Sequence, residues 1–146
     1  MANNFALHPF CSIFVISKQQ HMARHNEMGR WGEDVAAEYL RQQGYVIRER
    51  DWKSGRRDID IIALTPDALT VVFVEVKTRL PDSAAAPEDA VDAVKIRNLC
   101  VAAETYVKMH EVDEELRFDI ITVVGTKGCE PRIEHIEDAF NPLLII

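Results

Sequence analysis

The run Val71-Val72-Phe73-Val74-Glu75-Val76-Lys77-Thr78-Arg79 constrains the fold more than any other stretch of this chain. Every residue from Val71 to Val76 except Glu75 is β-branched or aromatic, so the run reads as a buried strand. Charges at the centre of such a strand need partners. Removing the partner of a buried charge costs about 3–5 kcal/mol. Side chains two residues apart project to the same face, about 7 Å apart along the strand. Glu75 and Lys77 are therefore expected side by side, with Val74 and Val76 filling the other face.

Arg57-Asp58-Ile59-Asp60-Ile61-Ile62-Ala63-Leu64 reads as a second strand of the same kind. Asp58, Asp60 and Ile62 are expected on one face, and Ile59 and Ile61 on the other. Thr65 to Leu69 is rich in turn formers, which predicts an antiparallel hairpin over residues 58–65 and 69–78. That pairing can bring Asp60 beside Glu75 and Lys77. Two carboxylates sharing a site repel each other unless a cation lies between them. Lysine offsets one negative charge, and the remaining one points to a divalent metal.

The chain has 146 residues, enough for one domain with a real core. Its composition, 47% hydrophobic and 28% charged, is that of a globular protein and not of a disordered one. The formal net charge of −7 argues against a surface that grips nucleic acid everywhere. It leaves room for a local basic patch. Across residues 41–57, Arg41, Arg48, Arg50, Lys53, Arg56 and Arg57 face only Glu49 and Asp51. A solvated hairpin and loop is one reading of that segment. Its place just before Asp60, where an anionic backbone would have to pass, supports a nucleic-acid footprint.

Cys11, Cys100 and Cys129 are odd in number and widely spaced, which indicates neither a zinc site nor a disulfide framework and suits a reducing, cytoplasmic location. No run approaches the roughly 18–20 apolar residues of a membrane span. Phe10 to Ile16 is apolar but lacks the basic flank and cleavage site of a signal peptide. Residues 1–26 are expected to be a tail, flexible or the product of a start codon placed too early, with residues 27–146 as the single domain.

Periodicity predicts a helix from Gly29 to Gln43 with Val35, Ala36, Tyr39 and Leu40 as its apolar stripe and Gly44 as the residue that ends it. Tyr45 to Glu49 is a short strand candidate and Asp51 to Arg57 a loop. Leu80 to Pro87 is a flexible connection. A long helix is expected from Glu88 to about His110, with Ile96, Leu99, Cys100, Ala103 and Val107 on one face and Glu88 and Asp89 suiting its first turn. Arg117 to Val124 is a strand and Arg132 to Ile136 an edge strand. The order is α-β-β-β-α-β-(β), an α/β fold with a mixed sheet flanked by helices.

An acid on a first helix, an Asp on a strand, Glu-x-Lys on the next strand and then a helix resemble the PD-(D/E)xK core of restriction-endonuclease-like nucleases. More closely, the chain resembles the YraN-like family of uncharacterised bacterial proteins, regarded as predicted endonucleases similar to archaeal Holliday-junction resolvases. The matching pieces are Gly29-Arg30-Trp31-Gly32-Glu33, Asp58-Ile59-Asp60-Ile61-Ile62, Phe73 to Arg79, Ala90-Val91-Asp92 with Lys95, Arg117-Phe118-Asp119, and Ala139-Phe140. They cover residues 26 to 142 or so, in family order and spacing. The family usually has Gly-Glu-Ile-Asp where this chain has Arg57-Asp58-Ile59-Asp60. Asp60 is kept, the preceding acid is shortened, and Arg57 removes the ground for expecting close backbone approach to a ligand.

The resemblance implies a metal-dependent endonuclease acting on DNA, branched or structured DNA included. Asp60 and Glu75 would hold Mg²⁺ or Mn²⁺ through hard oxygen ligands. Lys77 would orient the attacking water or offset charge in the transition state, and Glu33 would add an outer contact or a further ligand. Lys53, Arg56, Arg57, Arg79 and Lys95 are the candidate nucleic-acid contacts. A homodimer or a recruiting protein partner is an expectation by analogy. Each residue also has a plainer reading. Glu75 and Lys77 can form a structural ion pair with Asp60 and Arg57, Glu33 can be a first-turn helix acid, Asp119 can pair with Arg117, and His135 need not be a ligand. The alternative for the whole chain is a nucleic-acid-binding or protein-interaction module with a nuclease fold and no turnover.

Overall fold

Hydrogen-bonding parity and helix periodicity resolve into two helices on a five-stranded sheet. The computed structural model describes residues 9–82 and 92–141, with side chains from residue 26 onward. The elements are α1 (Pro9–Gln42), β1 (Val46–Ser54), β2 (Arg57–Leu64), β3 (Thr70–Arg79), α2 (Ala93–Met109), β4 (Glu115–Val124) and β5 (Arg132–Ile136). The sheet order is β1-β2-β3-β4-β5. β1, β2 and β3 form an antiparallel meander, β3 and β4 are parallel, and β5 returns antiparallel to β4. A parallel pair needs a crossover, and α2 supplies it.

β3 lies at the centre and is covered on both faces, which is why its sequence is a near-continuous apolar run. On one face α1 buries Ala36, Ala37 and Leu40 against Ile61, Ala63, Val72, Val74, Val76, Ile121 and Val123. On the other, α2 buries Leu99, Ala102, Ala103 and Tyr106 against Ile59, Ile62, Val71, Phe73 and Phe118. The α2 face is shifted slightly from the expected one, with Cys100 and Val107 still packed against it at its partly buried side. Leu99 and Ala103 are buried as anticipated, but Tyr106 and Ala102 complete the face, and Ile96 sits at its half-buried edge. The Tyr106 ring decides this, meeting Phe73 at 5.9 Å and Trp52 at 5.3 Å edge to face.

Gly44 ends α1 as expected. Its φ of 91° is open to glycine at little cost, and the N–H groups of Gly44 and Tyr45 donate to the carbonyls of Arg41 and Leu40. The helix begins at Pro9, well upstream of Gly29. Its partner α2 starts at Ala93, with the Asp92 side chain accepting from the N–H of Lys95 at 2.8 Å. Glu88 and Asp89, expected in the first turn, lie outside the described residues. Among the described residues no helix is long and apolar enough to cross a membrane.

Two expectations need correction. The loop expected over Asp51 to Arg57 is mostly strand: β1 continues to Ser54, and only Gly55 and Arg56 turn the chain before Ser54 pairs with Arg57. β1 is an edge strand, so its exposed, charged sequence hides its pairing with β2. Ile59 and Ile61 do not share a face either. Ile59 packs in the α2 layer and Ile61 in the α1 layer. The break in alternation falls at Asp60, opposite Asp51, whose φ of 49° marks an irregular turn of the facing strand.

Truncation to begin at Met22 should leave the melting temperature within a few degrees of the full chain, because among the described side chains Trp31, Val35, Ala36, Ala37, Tyr39 and Leu40 carry the helix's contact with the sheet. A large drop in a thermal melt would show that the segment before Met22 packs on the domain.

Candidate functional site

β2 and β3 pair only from Ile61 opposite Val74 to Leu64 opposite Val71. Beyond Ile61 they part, and the amide of Val76 loses a strand partner. Asp60 fills the gap: its Oδ2 accepts the N–H of Val76 at 2.8 Å. The carboxyl thus stands in the mouth of a fork between two strands, where burial leaves it 8% exposed. Burial holds its pKa above the ordinary aspartate value, although the Val76 amide works in the other direction.

Glu75 lies beside it on β3, 3% exposed. Burial first, and then the neighbouring Asp60 charge, push its carboxyl up to about 8. Lys77 Nζ is 3.3 Å from its Oε1. Its Oε2 is buried with no hydrogen-bond partner. Lys95 arrives from the first turn of α2, with Nζ 3.7 Å from that oxygen and 3.5 Å from Asp58 Oδ1. Burial pushes the Lys95 ammonium down, but Glu75, Asp58 and Asp60 outweigh it and hold its pKa above that of an ordinary lysine.

Glu33 reaches the same place from α1. Gly32 makes this possible, because a Cβ there would collide with Thr78 Oγ1, so helix and strand touch where glycine has no side chain. Glu33 is half-buried, and burial together with Asp60, Asp51 and Asp58 raises its pKa to about 7, against the opposing pull of Arg50. Asp60, Glu75, Lys77, Lys95 and Asp58 thus form one cluster, and Glu33 feels it through the charges of Asp60 and Asp58. Burial and mutual repulsion raise the pKa of Glu33, Asp60 and Glu75 together, against the pull of Arg50, Lys77 and Lys95.

The donor chemistry suits a hard divalent ion. Among the described residues no three His, Cys, Asp or Glu side chains converge closely enough to hold an ion by themselves. Asp60 and Glu75 would supply two carboxylates, which is how Mg²⁺ is commonly held, with water completing its shell. The orphaned Glu75 Oε2 is the observation that favours such a ligand.

The expected nucleic-acid contacts are more dispersed. Lys53 is exposed and 3.3 Å from Asp51, Arg56 is exposed in the β1–β2 turn, and Arg57 Nε donates to Asn98 Oδ1 at 3.3 Å. Arg79 is half-buried at the end of β3. Of this set Lys95 enters the carboxylate cluster. Several neighbouring cations are paired with acids: Arg50 with Asp34 of α1 at 2.7 Å, Arg48 with Glu114 at 3.0 Å, and Arg41 with Glu38 one turn back in its own helix at 3.7 Å. Trp52 is committed to packing on Tyr106, and Trp31 packs against the α1 core. The arrival of Lys95 depends on how α2 docks, which no local signal reports.

Asp119 lies in a separate cluster. It is fully buried and accepts from Arg117 Nε and Nη2, both at 2.8 Å, from the Asp138 amide at 3.0 Å and from His135 Nε2 at 2.7 Å. Burial opposes its ionisation, but these donors outweigh it and hold its pKa below the ordinary value. Tyr39 OH lies 3.3 Å from His135 Nδ1. This network ties β5 and the following turn to β4, so the pairing expected of Asp119 with Arg117 is present.

The model of an uncharacterised protein family, UPF0102, matches residues 32–123. A UPF0102 protein of Bacteroides fragilis is 50% identical over 123 residues, 84% of this chain and 99% of the relative. One from Porphyromonas gingivalis is 51% identical over 125 residues, 85% of this chain and 90% of the relative. One from Flavobacterium psychrophilum is 44% identical over 119 residues, 82% of this chain and 98% of the relative.

Gly32→Ala should destabilise the fold by about 1–3 kcal/mol, the usual cost of forcing extra volume into a packed contact; denaturant unfolding measures it, and a neutral result would mean that α1 does not rest on Thr78. The raised pKa of Glu75 also has a sign. The folded state binds this proton more tightly than the unfolded chain, whose value is near 4.5. Its stabilisation is complete below that value and is lost as pH rises through about 8. In a chelator, melting temperature should therefore fall between about pH 5 and pH 9, and Glu75→Gln should flatten that slope. Parallel curves for the two proteins would show that Glu75 is already ionised in the fold.

Proposed function

The chain belongs to the uncharacterised family UPF0102, and we propose that it is a Mg²⁺- or Mn²⁺-dependent phosphodiesterase, an endonuclease acting on DNA, with branched or structured DNA among its substrates. The observation that carries this reading is Glu75. A carboxyl that is 3% exposed, has one oxygen without a hydrogen bond, and sits beside a second buried carboxyl costs the fold stability unless a cation is its purpose.

Asp60 and Glu75 would hold the ion, and a bound divalent ion would polarise the scissile phosphate and supply an acidic water. Lys77, two residues beyond Glu75 on the same face, would offset charge developing on the phosphate oxygens. Glu33, with a pKa near 7, can take or return a proton at neutral pH from the helix side of the fork. Lys95 can meet a phosphate oxygen once Glu75 is engaged. Lys53, Arg56, Arg57 and Arg79 would track the strand backbone beside the fork. A cytoplasmic protein, working as a homodimer or with a protein that delivers DNA, fits this reading.

The net charge of −7 and the pairing of Arg48 and Arg50 with acids favour a second reading, a binding module that keeps the fold without turnover. Metal separates the two. Cleavage of a panel of branched, flapped, single-stranded and duplex DNAs with Mn²⁺ tests the enzyme. Glu75→Gln and Lys77→Ala should both fold and bind DNA yet lose about 10²–10³ in rate. Wild-type cleavage by either variant would remove the roles assigned to these side chains. Unfolding of both would make the cluster a structural ion network.

Binding should also weaken with salt, each phosphate contact adding roughly 0.9 to the negative slope of log K against log salt for duplex DNA. Replacing Lys53, Arg56 and Arg57 together should flatten that slope. An unchanged slope would place the footprint elsewhere.

A further inference from the structure

Thr122 carries a buried polar atom that the site described above does not use. It is 1% exposed in β4, and its Oγ1 has no hydrogen-bond partner. A buried hydroxyl without a partner costs stability that a valine of the same shape would avoid. Its position suggests a reason for it. Lys77 pairs with Thr122 in the parallel register of β3 and β4, as Glu75 pairs with Ile120. Phe73 and Phe118 are paired in the same register and stack at 5.4 Å within the α2 layer. Counting by twos from that pair puts Glu75, Lys77, Ile120 and Thr122 on one face. Adjacent strands lie about 4.8 Å apart, so Thr122 and Lys77 are lateral neighbours on this face.

We propose that Thr122 is a positioning residue of this site, its hydroxyl accepting from the Lys77 ammonium when the Glu75 carboxylate is taken up by a divalent ion. The proposal rests on the nuclease reading for its purpose but not for its geometry. Lys77 now leans on Glu75 Oε1 at 3.3 Å. An ion on Glu75 Oε2 would repel the ammonium and draw charge from Oε1, weakening that contact. A hydroxyl on β4, on the side of β3 away from the fork, then offers a replacement acceptor and keeps the ammonium on the sheet face beside Glu75, and not out in solvent.

The test compares Thr122→Val, Thr122→Ser and wild type in three measurements. Thermal melts of the metal-free proteins should show the valine variant as stable as wild type or more so. A lower melting temperature would make the hydroxyl structural and overturn the proposal. Crystal structures with Mn²⁺ should show Lys77 Nζ within hydrogen-bond distance of the residue-122 hydroxyl in wild type and in the serine variant, and displaced in the valine variant. An unmoved Lys77 would overturn it. With Mn²⁺ and branched DNA, the valine variant should lose about tenfold in kcat with KM unchanged, roughly one hydrogen bond's worth, and serine should restore it. Undiminished cleavage by the valine variant would sink the role of Thr122 and leave the nuclease standing. A Lys77 that moves to Thr122 in a protein that cuts no DNA would do the reverse.

Discussion

The parting of β2 and β3 beyond Ile61 and Val74 is the feature on which the rest of the structure depends. An amide left without a strand partner inside a sheet must find another acceptor. Asp60 provides it for Val76, and so a carboxylate is drawn into the sheet where another apolar residue would otherwise sit. That single hydrogen bond places Asp60 beside Glu75. It also leaves an opening between two strands that Glu33 overlooks from α1 and Lys95 from α2. Gly32 is needed for the first approach and the Asp92 cap for the second.

The two buried acid clusters show what the opening does. Asp119 and Glu75 are both strand carboxyls held out of water. Asp119 has four donors within 3.0 Å and stays ionised below its ordinary range. Glu75 has one ammonium at 3.3 Å, a second at 3.7 Å and an oxygen with no hydrogen bond, and its pKa rises to about 8. Burial acts on both in the same direction, so the difference lies in the donors supplied and in the Asp60 charge beside Glu75. A fully supplied acid locks β5 to the sheet. An under-supplied one holds its proton more tightly.

The basic segment is also reshaped by folding. In sequence, residues 41–57 look like a continuous positive run. In the fold β1 distributes them along an exposed edge, and acids from α1 and the α2–β4 connection meet Arg50 and Arg48. The most exposed cations are concentrated at the β1–β2 turn, at Arg56 and at Lys53, which pairs with Asp51, near Asp58 at the end of the hairpin. Charged edges of this kind also discourage pairing with another chain.

How much of this was legible in the sequence follows from the range of each signal. Strand parity on β3 placed Glu75 with Lys77, and Val74 with Val76, because alternation is local to a strand. The stripe of α1, its glycine stop and the α-β-β-β-α-β-(β) order were readable for the same reason. β1 was underestimated because an edge strand carries little apolar alternation, and the α2 face was shifted slightly because Tyr106 packs on Phe73 and Trp52, contacts invisible along one helix. The sequence by itself determined which carboxylates and lysine share a strand face. Only the tertiary structure decided that β2 changes face at Asp60, that Val76 needs the Asp60 oxygen, and that Lys95 closes the far side. Each of these joins residues from separate elements, so its energy exists only once helices and strands have docked.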